Sequence, residues 1–214
     1  MEPITLYFSG ESFNPWKVVM ILEELGLPYT LKAIAWDKIK GDELTSINPN
    51  GRVPAIVDPN TKLTLWESGA ITEYLVEQYD KKGLISYDSL IEKNQTRQFL
   101  HFQMSGQAPP NGQAVWFMMY HPEKVASVID RFQNETERVA KVLDGVIAKN
   151  GTGWLVGNKC TYADLSFYLW GLAKDMAWPE KWANADLPHY TEWLERMGAR
   201  PATKKTMAVR AEMS

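Results

Sequence analysis

Asn48-Pro49-Asn50-Gly51-Arg52-Val53-Pro54-Ala55-Ile56, followed a little later by Trp66-Glu67-Ser68-Gly69-Ala70-Ile71, decides how the first part of this chain folds. The first stretch sets turn formers ahead of an apolar run with a proline at its entrance, which reads as a loop feeding a strand. A Val-Pro bond can be cis at modest cost, and a cis Pro54 would leave the Val53 backbone free to pair with an extended ligand. An ordinary strand-entry proline is the plainer alternative. The second stretch reads as a strand passing at once into a helix, with Ser68 at the helix N-terminus. The free N–H groups there and the Ser68 hydroxyl suit a small carboxylate, while Glu67 suits an ammonium group. An α-amino acid end carries both charges. Simple N-capping by Ser68 competes with that reading.

Working outward, Ile4 to Phe8 is strand-like. Pro15 to Leu25 is helical, with Val18, Ile21, Leu22 and Leu25 on one face and Gly26 as terminator. Tyr29 to Ala35 reads as a strand, and Gly41 to Ile47 as a short helix. Pro54 to Asp58 and Lys62 to Trp66 form a hairpin around Pro59-Asn60, and Glu67 to Tyr79 is helical. The order is β-α-β-α-β-β-α. Beyond Lys81-Lys82-Gly83 the pattern becomes helical throughout, with helices expected at Ile91 to Ser105, Glu123 to Ile147 and Leu187 to Met197. Thr161-x-x-Asp164 ahead of Leu165 to Trp170 resembles a capping box with a carboxylate in place of Glu or Gln. Two domains are expected, at residues 1–82 and 88–214.

The composition excludes several classes. The chain has 214 residues, 23 basic against 26 acidic groups, and a net charge of -3. It has no basic excess of the kind that phosphate contacts require, so no nucleic acid is expected as partner. No run approaches a membrane span and the N-terminus lacks the features of a signal peptide, which predicts a cytoplasmic protein without a membrane partner. Cys160 is the one cysteine, and His101, His121 and His189 lie far apart, so no metal site is expected. Residues 1–84 carry 8 basic and 12 acidic groups, so Lys40 and Arg52 stand out locally as anchors for an anion.

The element order, the Arg52-Val53-Pro54 turn, the Glu67-Ser68 pair and the Thr161–Asp164 box together resemble a cytosolic glutathione transferase. The resemblance covers essentially the whole chain. It implies an α/β thioredoxin-like N-terminal domain and an all-α C-terminal domain. More narrowly, Phe13-Asn14-Pro15-Trp16-Lys17-Val18, residues 48–55 and Gln103-Met104-Ser105-Gly106-Gln107-Ala108-Pro109 resemble the fungal class related to the yeast nitrogen-catabolite regulator. That regulator's prion-forming N-terminal extension is not expected here, where the transferase-like part begins at residue 1.

The resemblance implies glutathione as co-substrate. Val53, held by a cis Pro54, would pair with the cysteinyl part. Glu67 and Ser68 would take the γ-glutamyl amine and carboxylate, and Lys40 and Arg52 would meet the glycyl carboxylate. The thiol must become a thiolate to attack. Asn14 matches the class's asparagine, whose amide can donate to the sulfur; Ser12, Tyr7 and Ser9 are rivals. Asn14 also reads as the N-cap of the helix that Pro15 opens. No cysteine lies in this region, so a mixed-disulfide mechanism is not expected, and Cys160 reads as structural. Phe13, Met104, Trp116 and Phe117 are expected as walls for an apolar electrophile bound between the domains, with plain core as the alternative for each. The resemblance also implies a homodimer. A glutathione-dependent isomerase, lyase or peroxidase, and a non-catalytic regulator or ligand carrier, are the rival functions.

Overall fold

The computed structural model describes residues 1–10, 12–177 and 186–213. Its first elements are β1 (Ile4–Phe8), α1 (Asn14–Glu24), β2 (Tyr29–Ala33), α2 (Asp42–Thr45), β3 (Ala55–Asp58), β4 (Leu63–Trp66) and α3 (Ser68–Tyr79). The four strands form one sheet in the order β2-β1-β3-β4. β1 pairs parallel with β2 and antiparallel with β3, and β3 pairs antiparallel with β4. This is the thioredoxin-like arrangement that the resemblance implies.

Side chains alternate across a strand, so β1 serves two cores. Phe8 meets Trp16 of α1 edge-on, with ring centroids 5.3 Å apart. α1 buries Trp16, Val18, Val19, Met20, Ile21 and Leu22 completely. At roughly 1.5–3 kcal/mol for each large apolar side chain removed from water, this helix is the main anchor of its layer. Tyr7 points the other way, into a cluster with Ile34, Ile39, Leu44, Val53 and Ala55. The hairpin turn between β3 and β4 is held by the buried Asp58, which accepts from the Tyr74 and Tyr79 hydroxyls and from Asn60.

The chain divides into two compact units: Met1–Ser86 with Ala199–Ser214, and Tyr87–Gly198. The second unit holds α4 (Leu90–Phe102), α5 (Ala108–Val115), α6 (Ala126–Asn150), α7 (Tyr162–Ala177) and α8 (Pro188–Ala199). Single π-helical turns at Gln103–Gln107 and Trp116–Tyr120 flank α5. The helix expected to run to Ser105 therefore ends earlier. Pro109 and Pro110 bring no N–H to the first turn of α5, and the ladder changes partner spacing ahead of them. Buried amides tie the unit together. Gln107 donates to the Phe167 carbonyl at 3.2 Å, Asn111 to the Trp170 carbonyl at 3.3 Å, and Thr136 to Asn111 Oδ1 at 2.6 Å.

Asp164, in the first turn of α7, is fully buried and accepts four hydrogen bonds. The donors are the Thr161 N–H (2.9 Å) and hydroxyl (2.8 Å), the Leu155 N–H (3.1 Å) and the Trp193 indole (2.9 Å). The capping-box pattern thus becomes a hub joining the loop at 155, α7 and α8.

The last helix, α9 (Pro201–Glu212), has no counterpart in the sequence expectations. Its buried positions are Thr203 and Thr206, so no apolar stripe announces it. The boundaries read from sequence place it with residues 88–214, but it packs with the first unit, antiparallel along α1. Arg200 makes a bidentate ion pair with Glu24 at 2.6 and 2.7 Å, and Lys205 pairs with Glu23 at 2.7 Å. At the far end the Arg210 guanidinium lies 4.6 Å over the Phe13 ring. Among the described residues, no helix is long and apolar enough to cross a membrane.

Candidate glutathione site

The sheet register gathers the predicted residues at one edge. Tyr7 aligns with Ala55, and Ala55 with Trp66. β1 therefore ends, β3 begins and β4 ends at the same side of the sheet. Asn14, Val53-Pro54 and Glu67-Ser68 all follow or precede these strand ends. β2 runs parallel to β1, so the segment carrying Lys40 leaves from this edge too.

The Val53–Pro54 peptide is cis, and Val53 and Pro54 are buried. Asn48, only 1% exposed, shapes the loop ahead of them. Its amide donates to the Arg52 carbonyl at 2.6 Å, and its Oδ1 accepts from the Asn50 N–H at 3.0 Å. Sequence reading took Asn48 as a mere turn former; the Asn-Pro-Asn-Gly run was the available signal. Gly51 has φ +59, and a Cβ there would lie 2.9 Å from Lys40 Cδ. Only glycine allows both the turn and the lysine's close passage. Lys40 Nζ donates to the Asn50 carbonyl at 2.9 Å, so the lysine lies across this loop. Arg52 is exposed beside it.

Glu67 occupies the sharp junction between β4 and α3 with φ 72, a conformation that non-glycine residues seldom adopt. It is the cap residue of α3, and no side chain closes that cap. Ser68 is the first helical residue and is 3% exposed. The capping role that competed for Ser68 is therefore not the one it fills. The first N–H groups of α3 have no carbonyl partner within the helix.

Asn14 is the first residue of α1, and Phe13 is the cap, which brings no hydrogen-bonding side chain. The expectation that Asn14 caps the helix is not met, and its half-buried side chain stands beside the positive end of the α1 dipole. The Ser12 N–H donates to the Ser9 carbonyl at 3.1 Å in the turn just before, and Ser9 itself is buried. Tyr7 lies on the sheet face away from α1, with Lys32 Nζ 5.1 Å from its ring centroid.

Sequence reading also missed Lys17. It sits in the first turns of α1 and is 1% exposed. Burial pushes its ammonium down to about 7, while the Glu67 carboxylate pulls the other way. The signal was a lone lysine inside Pro15-Trp16-Lys17-Val18-Val19, where every neighbour is buried.

Phe13 belongs to the first unit, and Met104, Trp116 and Phe117 to the second. Met104 is half-buried in the π-helical turn after α4. Trp116 is exposed and stacks on Tyr120 at 5.8 Å. Phe117 is half-buried, with its ring 4.8 Å from His121 and 6.2 Å from Phe132. Met119 and Tyr120 are exposed, as five bulky residues in succession require. Cys160 is buried against Met197. Trp178 and Trp182 lie outside the described residues. Among the described residues, no group of three or more His, Cys, Asp or Glu side chains converges to hold a metal.

Residues 12–78 match the family model of the glutathione S-transferase N-terminal domain, and residues 113–208 that of its C-terminal domain. The glutathione S-transferase-like protein gedE of Aspergillus terreus is 48% identical over 215 residues, covering 96% of this chain and 95% of that protein. The transcriptional regulator URE2 of Saccharomyces cerevisiae is 32% identical, covering 97% of this chain and 68% of the regulator. The solved structure of the glutathione transferase URE2P6 from Phanerochaete chrysosporium, in complex with oxidized glutathione, superposes with a TM-score of 0.94 at 40% identity, covering 100% of this chain and 98% of that one. The chain therefore belongs to the glutathione S-transferase family, on its Ure2-like branch.

Proposed function

We propose that this protein is a glutathione transferase that joins the thiol of glutathione to an apolar electrophile. The observation that carries the reading is the convergence at one sheet edge of Val53-Pro54, Glu67-Ser68 and the N-terminus of α1. Val53 pairs through its backbone with the cysteinyl part of the tripeptide. Glu67 receives the γ-glutamyl ammonium, and Ser68 with the open α3 N-terminus receives the γ-glutamyl carboxylate. The positive φ of Glu67 fits this role, since backbone strain collects at ligand sites. Lys40 and Arg52 meet the glycyl carboxylate.

Asn14 donates its amide hydrogen to the thiolate. It cannot take the proton, so its effect, with that of the α1 dipole, is to lower the thiol pKa; each unit is worth about 1.4 kcal/mol. The face that Tyr7 occupies favours Asn14 over it. Phe13, Met104, Trp116 and Phe117 are the candidates for contact with the second substrate. The protein works as a homodimer in the cytoplasm.

Glutathione conjugation of a chlorinated nitroaromatic, followed by absorbance, tests the activity, and calorimetric titration tests binding. The reading requires turnover and also weaker binding in Glu67→Ala and Ser68→Ala. Unaltered affinity in both variants removes the γ-glutamyl assignment. The kinship with a transcriptional regulator supports a second reading, a non-catalytic glutathione-binding regulator. Tight glutathione binding without turnover on any electrophile favours it.

A further inference from the structure

We propose that Arg210 is a positioning residue of the thiol site: stacked on the Phe13 ring, it holds the first turn of α1 in the shape that aims the Asn14 amide at the glutathione sulfur. The inference rests on the reading of Asn14 as the donor to the thiolate.

α9 lies antiparallel along α1, and their contacts stay in register from end to end. Arg200 meets Glu24 at 2.6 Å, Thr203 Oγ1 meets Met20 Sδ at 3.6 Å, and the Arg210 guanidinium lies 4.6 Å over the Phe13 ring. At 1.5 Å per residue, the steps from 200 to 210 and from 24 to 13 rise by about 15 and about 17 Å, so the two helices match over this length. The ion pairs secure the Glu24 end of α1, away from the candidate site. Arg210, in the last turn of α9, reaches the Asn14 end. A basic residue this close to a chain end ordinarily extends into water. Arg210 is half-buried instead, and burial draws its pKa below the ordinary value, so it gives up hydration to lie on the ring. A planar guanidinium suits that aromatic face.

The turn it covers is one that local chemistry disfavours. The residue before a proline is pushed out of the helical backbone region by the proline ring. Asn14 precedes Pro15 and is nevertheless helical, and Phe13 ahead of it, with φ -76 and ψ -32, is in the helical region too. Contacts from elsewhere in the fold have to offset that preference, and the Arg210 stack acts on the residue bonded directly to Asn14. Without it the Asn14 backbone relaxes toward the extended region and its amide swings off the sulfur.

The experiment titrates the ultraviolet absorbance of the thiolate in bound glutathione, which needs no second substrate, and measures glutathione Kd and melting temperature on the same proteins. Arg210→Gln should raise the thiol pKa by about half to one unit, the range that a partly desolvated cation–π contact can supply, and slow conjugation at neutral pH about 3- to 10-fold. Glutathione Kd should change less than about twofold. Phe13→Leu should raise the pKa as much, and Phe13→Tyr, which keeps the ring, should not. Arg210→Gln should add nothing in the Phe13→Leu background. Arg200→Gln, at the other end of α9, should leave the thiol pKa at the wild-type value whatever it does to the melting temperature. A merely structural Arg210 would move stability and leave the thiol alone.

An unshifted thiol pKa in Arg210→Gln overturns the inference, as does an undiminished effect with Phe13→Leu already present or an equal shift in Arg200→Gln. If Asn14→Ala itself leaves the thiol pKa unchanged, the reading of Asn14 falls and the inference with it. If Asn14→Ala raises the pKa and Arg210→Gln does not, only the inference falls. Should Arg210→Gln not fold, Arg210→Met keeps an apolar stem at that position and is held to the same comparison.

Discussion

Replacing Asp164 by alanine tests the buried hub of the second unit. The carboxylate is fully buried and accepts from the Leu155 N–H, the Thr161 N–H, the Thr161 hydroxyl and the Trp193 indole, at 2.8 to 3.1 Å. The threonine hydroxyl can rotate to another acceptor, but the other three donors lose their acceptor in residues that are themselves buried. At about 1–3 kcal/mol for each stranded donor the gross loss is about 3–9 kcal/mol. Relief from desolving a carboxylate, and a water entering the vacated space, offset part of it. A net loss of about 3–5 kcal/mol results, or roughly 6–20 °C in melting temperature for a chain of this size. Asp164→Asn should cost less, about 1–3 kcal/mol, because its carbonyl still serves Leu155 and Trp193 while its NH2 meets the Thr161 N–H.

Urea unfolding followed by tryptophan emission measures these values directly. Glutathione affinity of the folded Asp164→Ala protein should stay at the wild-type value, since every proposed glutathione contact is in the first unit. A destabilisation below about 1 kcal/mol would refute the reasoning, because it would mean that water satisfies the same donors at little cost. A loss of glutathione affinity in step with stability would refute the assignment of the hub to a purely architectural role.

Three further outcomes are expected. Asn14→Ala should lower the conjugation rate by about 10- to 100-fold while changing glutathione Kd little, as loss of one donor to a developing anion does; an unchanged rate moves the role to Ser12. Lys17 has its ammonium lowered from the ordinary 10.5 to about 7 by burial. Between those values the unfolded chain binds more protons, so stability rises with pH, and a protonated Lys17 costs roughly 5 kcal/mol below them. The stability gap between Lys17→Met and wild type should therefore narrow from about pH 6 to about pH 10, and a gap independent of pH in urea titrations contradicts the burial of a titrating lysine. A double-mutant cycle on Glu24 and Arg200, a bidentate pair mostly shielded from water, should return about 1–2 kcal/mol of coupling, with a value near zero showing that this pair does not help to hold α9 on α1.

Much of the candidate site could be proposed from sequence because it lies where strands end. Turn residues, strand-entry prolines and helix starts leave local marks, and Val53-Pro54, Glu67-Ser68 and Asn14 each stand on one. The burial of Lys17 and Asn48 left no such mark, since it depends on what the rest of the chain lays over a residue. A lysine in a helix usually faces water, and an Asn-Pro turn is usually exposed. The last helix was hidden for the opposite reason. α9 buries threonines and secures itself by ion pairs to α1, so the apolar periodicity that reveals most helices is missing from residues 201–212.

The sequence by itself determined the order of the elements, the mixed sheet followed by helices, and the kinship with glutathione transferases. Those properties follow from local chemistry: alternation in strands, helical spacing, and residues that suit turns. Only the tertiary structure decided that the register brings three chain segments to one edge of the sheet. It alone assigned residues 199–214 to the first unit, buried Lys17 within α1, and turned Asp164 from a helix cap into a four-donor hub. Each of these depends on contacts between residues far apart in the chain, and their energies are set by exclusion of water that no local pattern records.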